Sequence, residues 1–271
     1  MSDQTTRRRI LYGAGTAATI ALAGCGGTDS TTTADGGDDG DDGDDGMDDG
    51  MTTGDGMDGG MDGGTANVRV AHMSPNAPNV DVYVDGDAVL EDVPFTTVSD
   101  YLEVPAGERT VEITAAGDAE TSVFEGPVTV EADTDYSIVA SGEIGDMADE
   151  AFAPLVLEDD NSEVGGNQSR LRVVHASPDA PNVDVTAAGG DVVLFDNVPY
   201  GESGYTTVEA NDYTVQIRGD TSSNDGEVVA DFDVSLNGGT VYTAFAAGYL
   251  TPDDEPADES FDLIVAQDSS S

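Results

Sequence analysis

The sequence predicts an all-β protein in which two tandem immunoglobulin-like antiparallel β-sandwich domains follow a disordered acidic spacer. A long segment occurs twice, about a hundred residues apart, which indicates a duplicated domain. Within each copy, short runs rich in Val, Ile, Thr and Tyr are separated by Gly, Asp, Asn and Pro about every eight to twelve residues, as in β-sandwiches. No amphipathic helix pattern appears beyond the N-terminal segment.

The chain divides into five predicted parts. These are a signal peptide at residues 1–24, a disordered spacer at 25–66, a first repeat at 67–158, a linker at 159–168 and a second repeat at 169–268. The spacer consists mainly of Asp, Gly, Thr and Met; apart from Met it has no aliphatic residue larger than Ala, and it has no aromatic residue, so it cannot build a core. The linker is polar and contains glycine, which is typical of a connection between domains.

The duplicated segment carries the pattern His-x-Ser-Pro-x-Ala-Pro-Asn-Val-Asp-Val in both copies. Its polar positions are candidates for a ligand site or a structural motif: His72, Ser74 and Asp81 in the first copy, and His175, Ser177 and Asp184 in the second. A Ser-His-Asp arrangement would suggest nucleophilic catalysis. Strand alternation argues against it, because it directs His72 toward the core and Asp81 toward solvent. We therefore expect hydrogen-bonding roles in each domain, with a ligand role as the alternative, and no catalytic residue.

This opening motif, the Val-Pro-Phe or Val-Pro-Tyr step that follows it and the next Tyr resemble the domain of unknown function 4397. The resemblance covers residues 66–145 and 169–250. It implies a secreted or surface protein built from two tandem copies of that domain, and it implies no activity.

Acidic residues dominate the composition. There are 56 Asp and Glu residues against eight basic residues, all of them Arg, and the formal net charge is -48. A fold with this charge repels itself at low ionic strength, whereas at molar salt the screening length falls to about 3 Å. We therefore expect a halophilic protein of haloarchaeal origin. A polyanion also repels nucleic acid, so we expect no nucleic-acid partner.

The N-terminal segment predicts export and lipid anchoring. Arg7 and Arg8 stand before a short apolar stretch, as in a twin-arginine export signal. Leu22-Ala23-Gly24-Cys25 resembles the lipobox of lipoproteins, in which the cysteine thiol receives two hydrocarbon chains, enough for stable anchoring. Cys25 is the only cysteine, so no intrachain disulfide can form. The predicted location is the outer, extracellular face of the cell membrane, with the membrane as partner through Cys25.

Two further modifications or ligands are suggested by short patterns. Asn167-Gln168-Ser169 has the acceptor pattern for N-glycosylation, which makes Asn167 a candidate site. The spacer contains four methionines among aspartates, and thioethers are ligands for Cu(I): Met47, Met51, Met57 and Met61. Methionine tolerated in a low-complexity repeat is the simpler interpretation of the spacer, and we expect no cofactor.

Two classes of function agree with these features. The first is a non-catalytic cell-surface module for adhesion, envelope structure or protein contacts, with surface-layer or other envelope proteins as partners. The second is a ligand- or metal-carrying lipoprotein that serves a transporter or sensor, which would require a pocket near the histidines or between the repeats. No sequence motif indicates an enzyme.

Overall fold

The computed structural model describes residues 63–145 and 148–270. The signal peptide, Arg7, Arg8, Cys25 and the four spacer methionines lie outside this range. In the described part the regular elements are sixteen β-strands and two short 3-10 turns at Ala188–Gly190 and Pro252–Asp254. No helix among these residues has the length and apolar character needed to cross a membrane.

The first repeat contains eight strands in two four-stranded sheets. The strands are β1 (Thr65–His72), β2 (Val80–Val84), β3 (Asp87–Val93), β4 (Leu102–Pro105), β5 (Gly107–Ala115), β6 (Asp118–Val130), β7 (Asp135–Ser141) and β8 (Ala153–Glu158). One sheet has the order β4-β1-β7-β8 and the other β3-β2-β5-β6. Alternate residues of the two sheets meet in an apolar core that includes Val68, Val70, Val82 and Ile113.

The second repeat has the same topology. Its strands are β9 (Gln168–His175), β10 (Val183–Ala187), β11 (Val192–Val198), β12 (Ser203–Glu209), β13 (Asp212–Gly219), β14 (Val228–Ser235), β15 (Thr240–Ala247) and β16 (Asp262–Ser270). The sheets have the orders β12-β9-β15-β16 and β11-β10-β13-β14, which match those of the first repeat strand for strand. The prediction of two tandem β-sandwiches is therefore confirmed.

One strand pair in each repeat is parallel. β1 pairs with β7 and β9 with β15 in parallel register, whereas the other pairs of named strands are antiparallel. Strand β15 is buried along its whole length, and β7 along all but its first residue. Parallel strands occur mainly where both faces of a sheet are covered, and that is the situation here. The alternation pattern in the sequence did not reveal this pair.

The coverage comes from the other repeat. The sheets that contain these parallel pairs, here called the inner sheets, meet through a shared apolar layer: Ala71, Met73, Val139, Val174, Ala176, Phe245 and Ala247. The remaining two sheets, here called the outer sheets, complete a stack of four layers. Each inner sheet therefore packs against another sheet on both faces, and each outer sheet on only one.

The strand ends differ slightly from the predicted domain boundaries. β1 begins at Thr65, ahead of the predicted start at 67, and β9 begins at Gln168, the last residue of the predicted linker. Asp159, the first residue of that linker, is buried rather than exposed. A short polar connection between two packed domains can contribute side chains to their interface, which composition alone does not show.

Candidate functional site

The two histidines hold the loop of their own motif. The ring Nε2 of His72 lies 3.0 Å from the carbonyl oxygen of Pro78, and that of His175 lies 3.0 Å from the oxygen of Pro181. Because a carbonyl only accepts, Nε2 carries the proton, and Nδ1 is left to accept the Ser74 or Ser177 N–H at 3.4 Å. Burial lowers the pKa of both imidazoles, although the bond to the carbonyl opposes that shift. Both rings are therefore neutral and buried.

The two serines connect the motif to the next loop of the same sheet. Ser74 Oγ donates to the carbonyl of Gly142 at 2.5 Å, and Ser177 Oγ donates to that of Gly248 at 2.6 Å. Both glycines have positive φ, and a Cβ at Gly142 would lie 2.5 Å from the Ala151 oxygen. The serine hydroxyls are thus occupied by backbone carbonyls and are not paired with an imidazole as a nucleophile would be.

The expectation for the motif aspartate Asp81 was wrong. Asp81 was expected to face solvent, yet it is only 6% exposed, and the equivalent Asp184 is 0% exposed. Asp81 accepts the N–H groups of Asp92 and Gly117 at 2.7 and 2.9 Å. Asp184 accepts the corresponding groups of Asn197 and Thr221 at 2.9 and 3.0 Å. Alternation identifies the opposite face of a strand, but it does not show that turns fold over that face.

The second of the two variable positions in the motif, Asn76 or Asp179, has a role that sequence reasoning missed. The Asn76 side chain forms two hydrogen bonds with the backbone of Ile144: it accepts from the N–H and donates to the carbonyl, both at 2.9 Å. In the second repeat, Asp179 accepts the N–H groups of Leu250 and Thr251 at 2.9 Å. The available signal was that both copies place an Asn or Asp between the serine-proline step and the alanine, where such side chains often bond backbone groups.

A buried charged cluster joins the repeats between their inner sheets. Arg69 Nη1 lies 2.7 Å from Asp268 Oδ1, and Arg172 Nη2 lies 2.6 Å from Asp159 Oδ1. Each arginine therefore pairs with the aspartate that ends the other repeat. Burial alone would lower the pKa of Arg69, but the ion pair and hydrogen bond with Asp268 outweigh it and raise that pKa. The pairing is reciprocal, as in a two-fold symmetric interface.

Two hydroxyls complete this cluster. Ser137 Oγ accepts from Arg69 and Arg172 at 2.7 and 2.9 Å and donates to Asp159 at 2.8 Å. Thr243 occupies the equivalent place in the second repeat, accepting from both arginines and donating to Asp268 at 2.6 Å. The rings of Tyr101 and Tyr205 cover the guanidinium groups at 5.0 and 5.2 Å. Arg69 and Arg172 occur in the duplicated segment, but their role could not be assigned before the two sheets were seen face to face.

The motif loops of both repeats lie at one end of the molecule. Three contact regions between the repeats follow one another along strands that run in the same direction. They are the charged cluster, the shared apolar layer and then the contact between Tyr249 and Glu143. Tyr249 donates to Glu143 at 2.7 Å and so links the two repeats at this end. Beside this contact is an open cleft of about 700 Å³, lined by Asn76, Glu143, Ile144, Gly145, Ala148, Asp254, Glu255 and Pro256. The chain enters the described part at the opposite end.

The cavity found inside the first sandwich offers little space for a ligand. The cavity inside the first repeat measures about 20 Å³ and has apolar walls, which is room for roughly one water molecule. Among residues 63–145 and 148–270, no group of three or more His, Cys, Asp or Glu side chains is arranged to hold a metal ion.

The glycosylation pattern lies at the start of β9. Asn167 is exposed, but Ser169 is buried and its hydroxyl donates to the Asn237 carbonyl at 2.6 Å. The acceptor asparagine is thus accessible, while the serine of the pattern is held inside the folded domain.

Comparison with solved structures finds chains that align with most of this chain at low sequence identity. The chain is 9% identical to a carbohydrate-binding module of family CBM26 from Eubacterium rectale Amy13K, with 75% of this chain and 97% of that chain covered and a TM-score of 0.24. It is 12% identical to the fimbrial anchor protein Mfa2 of Porphyromonas gingivalis, with 76% and 100% covered and a TM-score of 0.20. No curated protein matches the chain.

The family model described as "Domain of unknown function (DUF4397)" matches residues 66–186 and again residues 169–271. The two matches correspond to the two repeats, and together they cover well over half of the sequence. The chain therefore belongs to the DUF4397 family and carries the domain twice in tandem.

Proposed function

We propose that this chain is a non-catalytic cell-surface module whose paired β-sandwiches make protein contacts in the envelope, for adhesion or envelope structure. The observation that carries the proposal is the use of the repeated motif. Its histidine, serine and aspartate side chains are buried and bonded to backbone groups of their own repeat. A motif used in this way stabilises a scaffold and leaves the outer surface available for contacts.

The location is part of the same proposal. Export through Arg7 and Arg8 and lipid attachment at Cys25 would hold the paired repeats outside the cell on an acidic tether. The expected result is that a Cys25→Ser variant leaves the membrane fraction. A Cys25→Ser chain that stays membrane-bound would contradict the anchor.

A second candidate function is a ligand-carrying lipoprotein, and the cleft of about 700 Å³ favours it. This cleft has the volume of a small-molecule site, and both repeats contribute to its lining. It is open to solvent at the loop end, whereas the cavity inside the first sandwich measures only about 20 Å³.

Crosslinking on intact cells in molar salt separates the two candidates. For a contact module, we expect the full-length chain to crosslink to an envelope protein, and native mass spectrometry of the purified chain to show no bound small molecule. A stoichiometric small molecule without a protein partner would contradict the module and support the carrier.

A further inference from the structure

The outer sheets of the two repeats differ in chemistry at matched positions. One row of paired residues across the outer sheet of the second repeat is Val193, Thr186, Gln216 and Asp231. The matching row of the first repeat is Ala88, Tyr83, Glu112 and Glu125. In the next row, Arg218 of the second repeat takes the place of Thr114. In these two rows the second repeat therefore has one carboxylate fewer and one cation more than the first.

Arg218 has an unusual environment for an arginine in so acidic a protein. Among the residues that the structure describes, Arg69, Arg109, Arg170 and Arg172 form ion pairs within 4 Å, and Arg218 does not. Its guanidinium donates instead to Thr186, Gln216 and the Gly226 carbonyl at 3.0, 2.5 and 3.0 Å. Asp184, its paired neighbour on β10, uses both carboxylate oxygens to accept backbone N–H groups. Arg218 is thus held in place with its charge uncompensated by a direct ion pair.

Exposed apolar side chains lie on the same face of this sheet. Val193 on the edge strand β11 is 46% exposed, and Val229 on the other edge strand, β14, is 42% exposed. The position on β3 that matches Val193 is Ala88. Exposed valines on the same face as a fixed cation have the composition of a contact surface.

We propose that this surface, formed by Val193, Gln216, Arg218 and Val229, binds the same surface of a second copy of this chain. In a two-fold pairing, Arg218 of each copy faces carboxylates of the other, for which Asp191 and Asp231 at the margins of the surface are available. The inner sheets already show this arrangement, since Arg69 and Arg172 each pair with an aspartate from the other repeat. Molar salt removes the long-range repulsion between two polyanions and strengthens apolar association.

This inference rests on the proposed contact function and names one partner for it. The test is sedimentation velocity of the full chain in molar sodium chloride over a range of concentrations, with Cys25→Ser in every sample so that lipid does not drive association. We expect a dimer that Val193→Asp and Arg218→Gln each weaken at least about tenfold. The matched control is Ala88→Asp, which adds the same charge at the equivalent exposed position of the first repeat and should leave the dimer unchanged.

Two outcomes would overturn the inference. One is a chain that stays monomeric up to about 100 µM, a concentration at which even weak specific pairs form. The other is equal weakening by Ala88→Asp and Val193→Asp. Arg218→Gln keeps the test decisive if circular dichroism shows that Val193→Asp does not fold. A monomeric chain that still crosslinks to another envelope protein on cells would overturn self-association and leave the proposed contact function standing.

Discussion

The inner and outer sheets of this protein have diverged to different degrees. On the inner sheets the two repeats keep matching side chains, with Arg69 equivalent to Arg172 and Asp159 equivalent to Asp268, and each serves the other repeat. On the outer sheets, Glu112 corresponds to Gln216 and Thr114 to Arg218. A residue buried between two sheets must satisfy both of them, whereas the outer faces are covered only in part, by turns such as those that bond to Asp81 and Asp184. The difference shows which surface is constrained by folding and which is free to acquire a function.

The strongest test of the inner surface is removal of one buried arginine. Arg69→Met leaves Asp268 buried without its ion pair, so we expect a loss of about 3–5 kcal/mol in the free energy of unfolding. The matched control is Arg170→Met, which removes a more exposed pair with Asp160 and should cost less than about 1 kcal/mol. Urea unfolding in molar salt measures both. Similar losses for the two variants would show that the charged cluster does not hold the repeats together.

The motif should be equally important in both repeats. His72→Gln and His175→Gln each remove equivalent contacts with a proline carbonyl and a serine N–H, so each should cost about 1–3 kcal/mol. Thermal unfolding of the two variants, with envelope crosslinking measured alongside, checks this. An unchanged melting temperature together with lost binding would show that the histidines serve a ligand and not the scaffold.

A smaller effect is expected from acidification. Burial lowers the pKa of His72 and His175 in the folded state. Below the ordinary histidine pKa, the unfolded chain therefore binds protons that the folded chain does not bind. Their contribution to stability is therefore complete above the ordinary pKa and decreases as the pH falls toward the folded value. The double variant His72→Gln/His175→Gln should show a flatter dependence between about pH 7 and 5. An identical slope in wild type and double variant would contradict this assignment.

The smallest expected effect is at Asn167. Because the Ser169 hydroxyl is buried and bonded to Asn237, the acceptor pattern is not extended and free in the folded domain. If the chain crosses the membrane folded, as twin-arginine export implies, Asn167 should carry no glycan, and Asn167→Gln should change the intact mass only by the substitution itself. A larger mass difference between the native proteins would show that modification precedes folding.

The motif illustrates how far sequence reasoning reached. The repeat itself was evident, because His72, Ser74 and Asp81 recur in the same order in the second copy. Strand alternation correctly predicted that His72 points toward the core, since alternation depends only on the local backbone. It failed for Asp81, because whether a turn covers the far face of a strand depends on residues distant in sequence. The same limit explains why Asn76 and Arg69 received no role.

The sequence by itself determined the all-β class, the duplication and the acidic character of the chain, since each follows from composition and local pattern. Tertiary structure alone decided that the two sandwiches pack through their inner sheets, that Arg69 and Arg172 each pair with an aspartate of the other repeat, and that Arg218 forms no ion pair with the residues that the structure describes. These features depend on which sheet faces pack against each other. Strand periodicity shows which residues share a face of one strand, but it does not show which residues of different strands come into contact.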